Sequence, residues 1–272
     1  MLPPMPEMIA RDAQGRVTFR VLRTPSPMVF DGVLDEPFYR DVKPLGDFIQ
    51  QEPAEGAPAT EKTEVWVFFD RDNLYVSARM YESQPDKRVS TEMRRDADRL
   101  FDEDNFQVIL DTFHDSRNGY MFVTTPLGAK LEQQIFDEGE GGGRTGTANI
   151  NRNWDGVWDA AAKITSDGWT AEIEIPFSTV RFAPTETQTW GINFTRQFQR
   201  RRERTYWAPL PRQFEIQRLS SAGELRGLAL KTPRNLKEVQ GTWGQPGART
   251  LPAGSYIVRA GQSAGLLAFY LM

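Results

Sequence analysis

The sequence predicts an all-β protein, an antiparallel sandwich of two sheets with few short helices. Three observations carry that prediction. Many short stretches alternate apolar and polar residues with period two. Asp/Asn/Gly turn chemistry separates them at fairly even spacing. Helical 3.6-residue periodicity is almost absent.

The clearest stretch is Asp104 to Gly128. Phe106, Val108 and Leu110 alternate with Gln107, Ile109 and Asp111, and Tyr120, Phe122 and Thr124 alternate with Met121, Val123 and Thr125. TFHDSRNG lies between them, so the stretch reads as a hairpin whose loop presents polar groups on a rigid support. Asp111, His114, Asp115, Arg117 and Asn118 sit in that loop, and Asp96, Asp98, Asp102, Glu103 and Asp104 precede the first strand.

In chain order, residues 1–15 are rich in Pro and Met without period and read as a loose arm. Val17 to Leu22 is a strand. Asp31-Gly32 is a turn, and Asp35 is placed to cap a short helix opening at Glu36-Pro37. Residues 50–62 read as a polar loop. Glu64 to Asp70 and Leu74 to Tyr81 form a second hairpin, turned by Asp70-Arg71-Asp72-Asn73. Lys130 to Phe136 is the next strand. Residues 137–153 are Gly-rich and without period, a long surface loop. No Gly-Lys-Ser/Thr closes it, so it is not a phosphate cradle. Val157 to Ile164, Trp169 to Ile175, Trp190 to Gln199 and Glu224 to Leu230 complete the strands, with the arginine-rich 200–204 as a solvated turn. The domain reading is an arm (1–15), a sandwich (16–230) and an appendage (231–272).

Composition limits the function classes. The 272 residues carry a formal net charge of −4, which argues against a nucleic-acid groove. There is no cysteine, so thiol chemistry, Cys-ligated zinc and disulfides are excluded. No run approaches the roughly 20 apolar residues of a transmembrane helix. The first residues show neither a basic region nor an apolar core, so no signal peptide is visible.

Six motifs in order resemble the family 9 carbohydrate-binding module. They are Asp31-Gly32 with Leu34-Asp35-Glu36; Asp70 with Leu74-Tyr75-Val76; Asp104-Asn105-Phe106 with Asp111; Asn118-Gly119-Tyr120; Trp169 through Phe177; and Trp190-Gly191-Ile192-Asn193-Phe194. The resemblance covers about residues 17–230 and is nearest to the version N-terminal to bacterial outer-membrane β-barrel proteins. It implies a jelly-roll-like sandwich, a saccharide ligand gripped between tryptophans, structural calcium, and a periplasmic or outer-membrane setting with a barrel partner. Residues 236–272 are similar to the end of M14-type zinc carboxypeptidase-like proteins. A metal site of that family needs several histidines, and this chain has one, so a peptidase site is absent and the tail reads as a fused fragment.

Sugars stack their C–H faces on aromatic rings and hydrogen-bond through their hydroxyls. Of the seven tryptophans, Trp169, Trp190 and Trp158 read as core. Trp66 reads as packed against the second sheet, with outward display as the alternative. Trp154 and Trp207 are the candidate platforms, and Asp111, Arg117 and Asn118 the polar contacts. Asp96, Asp98, Asp102 and Asp104 are the candidate calcium ligands, although they lack EF-hand spacing and equally read as a solvated acidic loop. No other cofactor is expected. His114, the single histidine, reads as a solvated loop residue rather than a haem ligand. A glycosidase needs two carboxyls flanking a cleft, and no motif selects a pair from the 37 acids. The expectation is a non-catalytic carbohydrate-binding module; the alternatives are a periplasmic interaction domain of a barrel protein and, more weakly, a glycoside hydrolase.

Overall fold

The structure, a computed structural model, describes residues 9–11, 17–140, 149–230, 237–240, 254–259 and 266–271. The chain divides into two compact units, Met1–Ala183 with Thr187–Ala229, and Pro184–Glu186 with Leu230–Met272. The expected arm, and residues 141–148 of the Gly-rich stretch, fall largely or wholly outside the described residues.

The first unit contains β1 (Ile9–Arg11), β2 (Val17–Arg20), β3 (Leu22–Arg23), helix α1 (Pro37–Asp41), β4 (Ile49–Glu52), β5 (Thr63–Phe69), β6 (Asn73–Tyr81), β7 (Asn105–Asp111), β8 (Gly119–Thr124), β9 (Lys130–Ile135), β10 (Ile150–Asn151), β11 (Asp159–Thr165), β12 (Gly168–Pro176), β13 (Thr187–Phe198), β14 (Glu203–Tyr206) and β15 (Gly223–Ala229). One sheet runs β1-β2-β15-β13-β7-β8-β9-β10, with β14 joined to β13 and β4 to β14; the other runs β11-β12-β6-β5-β3. The expected two-sheet sandwich is present.

The central strands alternate as read, and both of their faces are covered. Phe106, Val108, Leu110, Tyr120 and Phe122 turn to one side, where Phe106 stacks on Phe194 at 5.9 Å. Ile109, Met121 and Val123 turn to the other and pack with Leu131, Ile135, Tyr206, Leu210, Ile216 and Leu219. Both parities of β7 and β8 are therefore buried throughout. The outer face of the five-stranded sheet is covered too. Leu34, Phe38 and Tyr39 pack on Trp66, Phe68 and Tyr75, and Trp66 donates its indole N–H to the Val42 carbonyl at 2.9 Å. Trp66 is therefore buried under the α1 segment, not against the second sheet.

Glu172 anchors that segment. Its carboxylate accepts the N–H groups of Asp31 (3.0 Å) and Gly32 (2.8 Å) and the Tyr39 hydroxyl (3.0 Å). Gly32 has φ +80°, and a Cβ there would meet the Ala162 backbone at 2.9 Å, so glycine alone fits this turn. Helix α1 opens with Pro37 as expected, but Asp35 does not cap it. Glu36 holds the N-cap position without a side-chain capping bond, and its carboxylate instead accepts the Val29 N–H at 2.8 Å.

Two strands fall where loops were expected. β4 opens the 50–62 segment and β14 lies within the arginine-rich turn. Both are polar and short, so they lack the apolar alternation that marks the others. β14 pairs with β13 and β4 with β14, and a buried carboxylate adds to this: Glu203 accepts the N–H (2.9 Å) and hydroxyl (2.6 Å) of Thr60.

Between the sheets lies a buried guanidinium. Arg196 of β13 donates to the carbonyls of Lys62 (3.2 Å) and Tyr81 (2.8 Å) and to the Thr63 hydroxyl (3.2 Å) in the facing sheet. Glu82, itself buried, stands 3.8 Å away and is paired with Arg88 at 3.2 Å. Burial pulls the Arg196 guanidinium down to about 10, with Glu82 and Asp104 opposing the shift, so it is charged at neutral pH.

The second unit contains β16 (Lys237–Gln240), β17 (Gly254–Arg259) and β18 (Leu266–Leu271), with β16 parallel and β18 antiparallel to β17.

Removing the Arg196 charge leaves buried Glu82 with Arg88 alone and takes three hydrogen bonds from between the sheets. Arg196→Met is expected to destabilise the fold by about 3–5 kcal/mol in urea unfolding. Adding Glu82→Gln should recover part of that loss; a double variant no better than the single one would show that the two charges are not coupled.

Candidate functional site

The 111–118 loop does not display its polar groups as expected; it spends them on its own shape. Asp111 is buried and accepts the N–H groups of Asp115 (3.2 Å) and Ser116 (2.8 Å), and burial pushes its carboxyl up from the usual range. Asp115 accepts the N–H groups of Arg117 and Asn118, each at 2.8 Å, and the Asn118 amide at 2.7 Å. These bonds hold His114 and Ser116 at positive φ, 52° and 58°. Arg117 is exposed and donates its Nε to Asp137 at 2.9 Å.

Of the two candidate platforms, Trp207 is sealed inside. It is 0% exposed and packs on Phe19 (5.7 Å) and Phe194 (5.6 Å). Gly223 makes the room, since a Cβ there would lie 2.6 Å from the Trp207 ring. The sequence could not show this, because the aromatic follows a charged turn and gives no alternation. Trp158, Trp169 and Trp190 are buried as read. Trp154 is the only tryptophan among the described residues that is partly exposed. It lies on Tyr120 (4.8 Å) and Phe122 (6.0 Å), hence on the inner side of the ten-stranded sheet. Its segment is held by Glu132, a buried carboxylate that accepts the N–H of Gly156 (3.1 Å) and the indole N–H of Trp158 (2.9 Å) and pairs with Arg95.

The four candidate calcium ligands are dispersed. Asp104 is buried and accepts the N–H groups of Val89 (2.8 Å) and Gln199 (2.7 Å). Asp98 pairs with Arg152 at 2.9 Å and Asp96 with Arg95 at 3.5 Å, while Asp102 is exposed. Neighbouring Glu103 accepts the N–H of Thr91 at 2.7 Å. Among the described residues no three Asp, Glu or His side chains converge to hold a metal ion, so this acidic set does not fit calcium.

A cleft opens elsewhere, beside the outer face of the ten-stranded sheet. One cavity of about 240 Å³ is lined by Ile150, Phe214, Gln217 and Arg218 among others, with Glu138 and Glu140 at its rim. It adjoins a second of about 390 Å³, bordered by Arg117, Asp137, Asn149 and the same two glutamates. These volumes lie around the lower end of the roughly 300–1,000 Å³ of ligand pockets. Ile150 and Phe214 pack on the Met121 and Ile135 side of the sheet. Arg218 lies over one face of the Phe214 ring at 4.6 Å and pairs with Glu138 at 2.9 Å. Glu138 also accepts the Ser220 N–H at 2.6 Å. Arg117 is thus the one expected contact that lines this cleft, and Trp154, on the opposite face of the sheet, cannot share a ligand with Phe214. Phe214 was missed because its stretch has neither strand nor helix period. An aromatic with a cation four residues on, between Pro211 and the next strand, is the only signal there.

Comparisons with known proteins agree on the fold. The family model described as "Carbohydrate family 9 binding domain-like" matches residues 30–207. A family 9 carbohydrate-binding module from Caldicellulosiruptor kristjanssonii, solved with glucose, superposes with a TM-score of 0.52 at 15% identity, covering 76% of this chain and 94% of that one. A module of the same family and organism, solved with cellotriose, gives 0.53 at 13% identity, covering 82% and 100%. No curated protein matches the sequence.

Because Asp96, Asp98 and Asp104 are already engaged by arginines and backbone N–H groups, adding calcium or a chelator is expected to leave the melting midpoint unchanged. A calcium-dependent rise of several degrees would contradict that placement.

Proposed function

The chain belongs to the carbohydrate family 9 binding domain-like family, and from that premise we propose that it binds saccharides, without cleaving them, in the cleft beside Phe214. The observation that carries the proposal is the lining of the cleft. It combines an apolar floor with a rim of paired carboxylates, amides and guanidiniums. A sugar ring needs both, an aromatic face for its C–H surface and fixed donors and acceptors for its hydroxyls. Arg218 lies over one face of Phe214, and the half-buried ring lines the cavity as its aromatic contact. Asn149, Gln213 and Gln217 supply neutral amides that donate and accept at once. The polar groups are held in place before any ligand arrives, through Arg117 to Asp137 and Arg218 to Glu138, and such preorganisation lowers the entropy cost of binding.

Charge sets a further preference. Asp137, Glu138 and Glu140 outnumber Arg117 around the larger cavity, so neutral sugars fit it better than uronic acids. The glucose and cellotriose held by the two related modules are the natural first ligands to try.

Buried Trp207 favours a second reading. A grip between two tryptophans, as the resemblance implied, needs two exposed indoles, and the described residues offer one. The second reading is an interaction domain at a bacterial envelope, beside an outer-membrane barrel, with the carboxypeptidase-like tail as a fused fragment.

Calorimetric titration with glucose, cellotriose and glucuronate separates these readings. We expect heat of binding for the neutral sugars and weaker binding of glucuronate. Phe214→Ala should weaken binding about tenfold, or roughly 1.4 kcal/mol, with the fold intact by melting. Arg117→Ala should weaken it less. Silence from every sugar would favour the interaction domain, and binding untouched by Phe214→Ala would move the site away from the cleft.

A further inference from the structure

Strand β11 ends the five-stranded sheet, and among the described residues it pairs with β12 only. Glu82 donates its N–H to Asp167 at 2.8 Å, which sets the phase of the β6–β12 ladder. In antiparallel pairing every second residue pair exchanges bonds. Trp169, Ala171 and Ile173 therefore bond toward Met80, Ala78 and Val76 of β6. Gly168, Thr170, Glu172 and Glu174 bond toward Thr165, Lys163, Ala161 and Asp159 of β11. The remaining residues, Ala160, Ala162 and Ile164, direct their N–H and C=O groups away from the sheet. The Ala160 N–H is met only by its neighbour's carboxylate, Asp159 Oδ1, at 2.9 Å. Ile164 is 49% exposed and Val157, just before the strand, 78%.

An unpaired edge with a run of three alanines is a template for another strand. Its side chains point to one partner. Laid antiparallel on a second copy of itself about Ala161, the strand sets Ala160 opposite Ala162 of the other copy, and both carry outward bonding groups. The same register sets Asp159 opposite Lys163 twice over, at the non-hydrogen-bonded positions where side chains approach most closely. It also sets Thr165 across from exposed Val157. A register one residue away would bring inward-bonded residues to the junction and lose the ladder.

We propose that β11 is a self-association edge, through which two copies of this chain join their five-stranded sheets into one continuous ten-stranded sheet. The seven-residue strand buries less than a standard interface. The dimer is therefore weak and concentration-dependent, with a dissociation constant of about 10–1,000 μM.

Sedimentation equilibrium of the full chain tests this. The expected mass rises from 31.0 kDa toward twice that value with concentration. Ala162→Pro removes an outward N–H without touching the β12 ladder and should weaken association at least tenfold. Lys163→Asp alone and Asp159→Lys alone each place like charges opposite and should do the same. An equimolar mixture of those two variants restores both opposite-charge pairs and should associate like the wild type, which neither misfolding nor a general charge effect would produce. A mass of one chain at all concentrations, association insensitive to Ala162→Pro, or a mixture no better than its components would each overturn the proposal.

Discussion

The structure depends on one charge placed where charges are costly. Arg196 sits between the two sheets and turns a dry gap into a hydrogen-bonded joint. Its donors reach the carbonyls of Lys62 and Tyr81 and the Thr63 hydroxyl across the interface, while Glu82 balances its charge. An apolar residue could fill the same space, but it would withdraw the charged donors that these oxygens meet in a buried site. The arrangement also fixes a relative position. Apolar contacts across the gap tolerate sliding, whereas a guanidinium with three oxygen partners does not. Asp104, bonded to backbone on both the 89 and 199 sides, extends the joint to the segment leading into β7.

The same economy governs the loops. Asp111, Asp115 and Glu103 read from sequence as polar groups in or beside a displayed loop, and Glu132 and Glu172 carried no assigned role. In the fold each closes a turn or pins a crossing segment by accepting backbone or side-chain N–H groups. An acidic protein can thus have few free acids, because short loops between strands leave many N–H groups in need of acceptors. The cleft beside Phe214 differs in that its polar groups pair at a cavity wall, where a ligand's hydroxyls can still reach them.

The strands were legible because alternation is a property of the backbone itself. Phe106 through Leu110, and Val65 through Phe69, announce themselves wherever the chain ends up. What was not legible follows from the same physics. β4 and β14 have backbone partners but no apolar face, so only tertiary pairing reveals them. Trp207 stands in a polar context and is buried because Gly223, sixteen residues on, leaves a hole the size of a ring. Trp66 was expected against the second sheet, and the α1 segment covers it instead, which no pattern within β5 encodes. The candidate site was legible only in Arg117. Its aromatic floor comes from an irregular stretch whose position is set by packing against Met121 and Ile135.

The placement of the indoles has a practical consequence for optical work. Five of the six tryptophans among the described residues are shielded, and Trp154 looks out from the far side of the sheet that carries Phe214. Phenylalanine contributes almost nothing to emission excited near the red edge of absorbance. A guest settling on Phe214 would leave the surroundings of those six fluorophores unaltered, so they would glow with the same colour and intensity whether the cleft were full or empty.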